Sequence, residues 1–182
     1  MTTQVQSKNI WVVENTHSEV TFKVRHLMIS NVSGSFKSFS GQVESAAADF
    51  SDADITFNID VNSIETGQEA RDNHLKSDDF FNAESFPQIT FKSHSLKKVS
   101  DNHYELKGNL TIRDITKEIA LKAEFGGTAL DFYGNTLIGW QIDGTIHRSE
   151  FGLKWNGVTE AGSIVVSDDV KFNCHIQFKK QS

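Results

Sequence analysis

The chain has 182 residues, 23% of them charged and 37% hydrophobic, with a net charge of −6. That length suits one domain with a sizeable core, and no run of Lys and Arg makes a phosphate-binding footprint, so no nucleic-acid partner is expected. The single Cys174 excludes an internal disulfide, and no apolar run approaches the ~18 residues of a membrane-spanning helix.

The opening stretch "MTTQVQSKNIWVVENTHSEV" has neither a basic start nor an apolar h-region. The chain as written is therefore expected in the cytoplasm, or in the periplasm if it is a trimmed mature form. From residue 19 the dominant signal is period two, the mark of a strand with one buried face. In "EVTFKVRH", Val20, Phe22 and Val24 share a face that His26 continues, opposite Thr21, Lys23 and Arg25. "SFKSFSGQV" reads as a weaker strand, interrupted by Ser and Gly. "DITFNIDV" aligns Ile55, Phe57, Ile59 and Val61. "GQEARDNHLK" breaks the alternation and is read as a short helix over about residues 66–76. Thr66 and Glu69 suit a capping box there. Ala70, His74 and Leu75 are expected to face inward, with Phe80 and Phe81 just beyond.

After Pro87, at a strand start where it is tolerated, "QITFKS" adds Ile89 and Phe91. "YELKGNLTIR" aligns Tyr104, Leu106, Leu110 and Ile112. "KEIALKAEF" aligns Ile119, Leu121, Ala123 and Phe125. "IGWQIDGTI" aligns Ile138, Trp140, Ile142 and Ile146, a parity that Arg148 continues. "VKFNCHIQF" aligns Val170, Phe172, Cys174, Ile176 and Phe178.

About eight strands with one wet and one apolar face imply an all-β, antiparallel domain, either a sandwich or a closed barrel. At that strand number a barrel is filled by side chains or holds one small ligand. The 14 Phe residues should line its interior. Gly108 and Gly144 fall on apolar parity, where they either leave free space or mark bulges.

The cluster "RDNHLKSDDFF" (71–81) has an architectural reading, a helix lying across an open barrel end. Its chemical reading is an enzyme acting on a bound lipid, with Asp72 and His74 as acid and base. No metal site is expected, since HxxxH, CxxC and HExxH are absent and the remaining histidines are scattered. Cys174, on an apolar strand face, is expected to be inert. His26, Arg148 and Arg71 fit a barrel rim, either as polar contacts for a ligand or as residues bonded to backbone or paired with Asp72 or Glu150. A barrel with a packed core, serving as an interaction module, is the remaining alternative.

Several stretches carry a family resemblance: "HSEVTFKVRHLMISNVSGSF", "SIETGQEARDNHLKSDDFFNAESFPQITFKS", "GNLTIRDITKEIAL", "RSEFGLKW" and "VSDDVKF". Over roughly residues 10–178 the chain resembles the YceI-like family of lipid-binding proteins, most specifically through TGxxxRDxHLxSxDFF followed by FPxIxFxS. The resemblance implies an extended, lipocalin-like antiparallel β-barrel with a short helix near one end. It implies a long apolar lumen holding an isoprenoid chain, an isoprenoid quinone or a fatty-acid-like lipid, and a role in transport, storage or stress rather than catalysis. No cofactor is implied beyond such a ligand. Dimers and transient membrane contact also fit the family. The lumen positions that the resemblance and the parity share are Phe22, Val24, Phe57, Ile59, Phe91, Leu110, Ile112, Leu121, Trp140, Ile142 and Phe172. Leu75, Phe80 and Phe81 follow as lid or mouth residues, and a head group would lie near His26, Arg71, His74 or Arg148. A quinone ring there would stack on Trp140 or a Phe. Asp114 and Glu118 depart from the family pattern, and both are expected at a turn between strands.

Overall fold

The computed structural model of the protein describes residues 6–156 and 165–182. Its strands are β1 (Asn9–His26), β2 (Ser30–Phe36), β3 (Phe39–Ser45), β4 (Asp54–Asp60), β5 (Ile64–Glu65), β6 (Gln88–Ser100), β7 (His103–Ile112), β8 (Ile115–Leu130), β9 (Thr136–His147) and β10 (Val166–Lys180). Helix α1 (Glu69–Lys76) lies between β5 and β6. Strands β10, β9, β8, β7, β6, β4, β3 and β1 pair in that order, and β1 returns to β10, closing an eight-stranded antiparallel barrel. β2 adds to the second half of β1, and β5 adds to β2.

The inward residues are the apolar set of each alternating segment, so closure buries one face of every strand without a second layer. β1 needs a device to do this over its length. Glu14 pairs with Gln177 and Glu19 with His175, so residues 15–18 bulge out opposite Ile176 alone. The Ser18 hydroxyl donates to the Glu14 carbonyl at 2.7 Å and accepts the Gln177 amide at 2.9 Å, replacing ladder bonds lost there. The bulge switches parity. Trp11 and Val13 face inward before it, and Val20, Phe22 and Val24 after it. β1 thus begins well before the alternation visible from residue 19. The weak "SFKSFSGQV" segment is not one strand but the end of β2, a turn at Lys37–Ser38 and the start of β3.

Gly108 and Gly144 serve neither free space nor bulges alone. Phe172 lies directly across from Gly144, Phe22 from Gly34 and Phe57 from Gly41. The Phe91 ring lies over Gly108, itself opposite the Ser93–Ser95 bulge of β6. A Cβ at these glycines would come within 2.4–2.6 Å of a ring carbon. The glycines are recesses in the wall over which the rings lie.

The expected capping box does not form. α1 starts at Glu69 with Gln68 as an uncapped N-terminal residue, while Gly67 turns the chain at φ 84° and removes Thr66 from the helix. The Thr66 hydroxyl and amide donate to Asp72 instead. Ala70 faces solvent rather than the interior. Asp114 does occupy the β7–β8 turn, but the left-handed residue there is Arg113 (φ 55°), so position 114 has no need of glycine. Glu118 is not at a turn; it stands exposed within β8, opposite Asn109.

The barrel end at which β1 begins is sealed by aromatic packing. Phe50, at φ 60°, folds in from the β3–β4 connection and meets Trp11, Phe125 and Trp140 at centroid distances of 6.0, 5.6 and 5.7 Å. Tyr104 packs on Trp140 at 5.1 Å and donates to the Asp49 carbonyl. Asp52 holds this connection, accepting from the Ser45 hydroxyl and from the amides of Ala46 and Ala47.

Two expectations follow from this packing. Gly108→Ala should cost about 1–3 kcal/mol by overpacking, because the new methyl meets the Lys92 carbonyl as well as the Phe91 ring; urea denaturation measures it. The bonds from Ser45, Ala46 and Ala47 lower the Asp52 carboxyl from its ordinary 3.8 to about 2. Its contribution is therefore complete above the unfolded pKa and is lost as pH falls toward 2. Melts of the wild type and Asp52→Asn should differ at pH 6 and converge near pH 2.

Candidate functional site

The barrel interior holds a cavity of about 550 Å³. Along β10 its wall runs from Val166 to Phe178, roughly 40 Å at the rise of an extended strand. The wall takes Phe22 and Val24 from β1, Phe57 and Ile59 from β4, and Phe91 from β6. It takes Leu110 and Ile112 from β7, Leu121 from β8, Trp140 and Ile142 from β9, and Phe172 from β10. Several of these point inward yet are only half-buried: Phe22, Phe57, Ile59, Phe91, Ile142 and Phe172. A filled core would cover them; here they face open space inside the barrel.

The end opposite the aromatic seal is capped by α1 and the segment after it. Leu75 lines the cavity, and Phe80 and Phe81 close over it. Phe81 meets Phe36 edge-on at 6.1 Å, and Phe80 packs on Trp155 at 5.4 Å. Arg113 clasps this segment from the β7–β8 turn, donating to the carbonyls of Asp78 and Phe80 at 3.0 Å and to the Asp78 carboxylate at 2.9 Å.

The polar groups gather at this capped end. His26, Arg71, His74 and Arg148 all line the cavity, joined by Arg25 and Gln68. Their roles differ. Arg148 is 5% exposed and donates to the carbonyls of Leu153, Trp155, Val166 and Ser167 at 2.6–3.1 Å. It cinches residues 148–156 to β10, with neither Asp72 nor Glu150 as partner. Burial lowers its pKa, and the Asp168 carboxylate opposes that shift. Arg71 donates from Nε and Nη2 to the hydroxyl and carbonyl of Thr66, both at 2.7 Å. Its Nη1 has no hydrogen-bond partner among the described residues.

Asp72 and His74 do not form an acid–base pair. Asp72 is bound to Thr66, while His74 Nε2 lies 2.8 Å from Asp79 and its ring packs edge-on against Phe80 and Trp155. Trp140 belongs to the aromatic seal. It pairs with Ile176, ten residues along β10 from the partner of His26, so it is a floor residue and not a stacking platform at the polar end. Among the described residues one His–carboxylate cluster could reach a cation, His147 with Asp168 and Asp169. All three are exposed, with His147 2.6 Å from Asp169 and Asp168 accepting the Ser149 amide.

Some lining residues lie outside the strands. Phe50 comes from a turn, and Leu153 and Trp155, which alternate with Gly152 and Lys154, lie in the non-strand segment after β9. Arg25 lies on the wet parity of β1, but the ladder to β10 slips between Val24 and His26, and Arg25 reaches the cavity there.

A closed antiparallel barrel around a long apolar cavity, its charged lining residues gathered at the capped end, defines the class of protein. The YceI-like domain model matches residues 11–178, and the chain belongs to that family. It is 40% identical over 166 residues to UPF0312 protein SA2479 of Staphylococcus aureus (strain N315), covering 91% of this chain and 94% of the relative. Burkholderia cenocepacia BcnA shares the fold with a TM-score of 0.79 at 24% identity, over 91% of this chain and 98% of that one. A polyisoprenoid binding domain from Saccharophagus degradans superposes with a TM-score of 0.72 at 17% identity, over 94% and 98% of the two chains.

Cys174 reports on the interior. Desolvation by burial, and then the negative charge of Asp143, push its thiol up to about 12. At pH 8 only about one thiol in 10⁴ is then ionised, against roughly a quarter of a free cysteine. Ellman's reagent should therefore react with the folded protein at least a hundredfold more slowly than with the urea-unfolded chain.

Proposed function

We propose that this protein is a non-catalytic carrier or store for a long-chain isoprenoid, either a polyprenyl phosphate or an isoprenoid quinone, held in the barrel cavity. The observation that carries this reading is the row of inward Phe and Ile side chains left half-buried around an apolar space inside the barrel. Burial of one methylene is worth about 0.8 kcal/mol, so each five-carbon unit contributes on the order of 3–4 kcal/mol at most. A few units outweigh the freedom the chain loses on binding. Polyisoprenoid binding by the Saccharophagus degradans domain supports the same class of cargo. The head group would sit at the capped end, where Arg71 Nη1 has no partner among the described residues, whereas every guanidinium nitrogen of Arg148 already donates to a carbonyl. An anionic head would gain a charge-assisted bond from Arg71.

Native mass spectrometry after incubation with polyprenyl phosphates and quinones tests the reading. The wild type should take up one long chain. Leu110→Trp and Ile142→Trp, which fill the middle of the cavity, should lose long chains at least tenfold while keeping cooperative melting. Full loading of both variants, or a wild type that stays ligand-free, would sink the proposal.

A further inference from the structure

The tip of the β1–β2 hairpin is built against local preference. Leu27 and Met28 both have left-handed backbones, φ 52° and 60°, as the central residues of a β-turn closed by the Ile29 amide on the His26 carbonyl, within a three-residue connection. Such turns favour Asn and Gly, because a Cβ is strained at positive φ. Here the turn carries Leu and Met, followed by Ile. Met28 is 60% exposed and Ile29 81%. Large apolar side chains are thus held in water by a strained backbone that polar residues would form more easily.

The tip stands at the capped, polar end of the cavity. The two residues before it, Arg25 and His26, line the cavity, and the Leu27 amide donates to the Val165 carbonyl, another lining residue, at 2.8 Å. Cations flank it. The Arg25 guanidinium donates to the Met28 carbonyl, and Lys154 shares a shallow surface depression with Met28.

We infer that the Leu27–Ile29 tip docks this end of the barrel on a lipid bilayer, Met28 and Ile29 entering the acyl region while Arg25 and Lys154 meet headgroup phosphates. Two exposed side chains fall far short of the ~800 Å² per partner of a stable protein interface, but they suit shallow insertion beside cations. The net charge of −6 and the nearby Asp168 and Asp169 oppose attraction to a strongly anionic surface. Apolar insertion should therefore dominate, with only modest salt dependence. The docking stands on the tip itself; its use, passing an apolar chain between bilayer and cavity, rests on the carrier reading above.

The opposite barrel end offers an internal control. The β8–β9 hairpin exposes Phe132 and Tyr133 at 105% and 90%, on a turn held by Asp131 through the amides of Tyr133 and Asn135. The experiment is flotation with phosphatidylcholine vesicles containing a minor fraction of phosphatidylglycerol. The wild type should float, and Met28→Ser/Ile29→Ser should lose binding by about tenfold or more, given the two apolar side chains removed. Phe132→Ser/Tyr133→Ser should float like the wild type. A wild type that stays in the soluble fraction, or binding lost in the Phe132/Tyr133 variant and kept in the Met28/Ile29 variant, would overturn the inference. Uptake of an apolar fluorophore in vesicle-free solution is measured on the same proteins. Uptake without flotation rejects docking and leaves the carrier reading, whereas flotation without uptake does the reverse.

Discussion

Closure of the barrel depends on one strand used twice. β1 pairs with β10 along both of its halves, while its other edge is shared between β3 at the start and β2 toward the end. A continuous ladder could not keep its apolar side chains inside over that length, because the inward set changes from odd to even positions. The bulge at residues 15–18 makes the change, and Ser18 supplies hydrogen bonds where the ladder is interrupted. Without it, Trp11 would leave the aromatic seal or Val20 and Phe22 would leave the wall.

The lining explains how a barrel rich in Phe retains an interior space. A ring standing upright from each strand would meet its counterparts across the lumen. Laid over Gly34, Gly41, Gly108 and Gly144, the four rings of Phe22, Phe57, Phe91 and Phe172 follow the wall instead. The wall stays apolar and the centre stays open. Unfilled apolar volume costs packing energy, and this chain packs aromatic clusters at both ends, around Trp140 on one side and around Phe80 and Trp155 on the other. Any apolar ligand that occupies the space would recover part of those missing contacts and stabilise the fold through mass action.

Alternation made the wall legible. Val20, Phe57, Leu110, Leu121, Ile142 and Phe172 could be assigned inward because each sits in a regular strand, and all lie on the cavity. Parity failed where the backbone leaves the regular ladder. The start of β1 was hidden by its bulge, and β6 switches its inward set from Ile89, Phe91 and Ser93 to Leu96 across the irregularity at His94. Phe50 had no signal, since a left-handed turn residue folding back as a plug looks in sequence like a loop. The helix was found from the break in alternation, but its capping was misread because Gly67 turns the chain before the first helical turn.

Charged residues at the capped end show why residue type alone could not assign roles. Arg148 and Arg71 carry the same group and line the same cavity. One is wrapped by four carbonyls and braces the backbone; the other is held on one side, its Nη1 without a partner among the described residues. The difference lies in what the chain brings alongside. The stretch after β9 turns its carbonyls toward Arg148, whereas α1 is short and has no buried residue of its own. Its position depends on the Thr66–Arg71–Asp72 bonds at its start and on the Arg113 clasp just beyond it. Lifting α1 with the segment after it would break those few hydrogen bonds and uncover Leu75, Phe80 and Phe81. Parting two wall strands would break a full ladder and the core behind it. The least costly way into the barrel is therefore past α1, beside the residues with polar groups to offer.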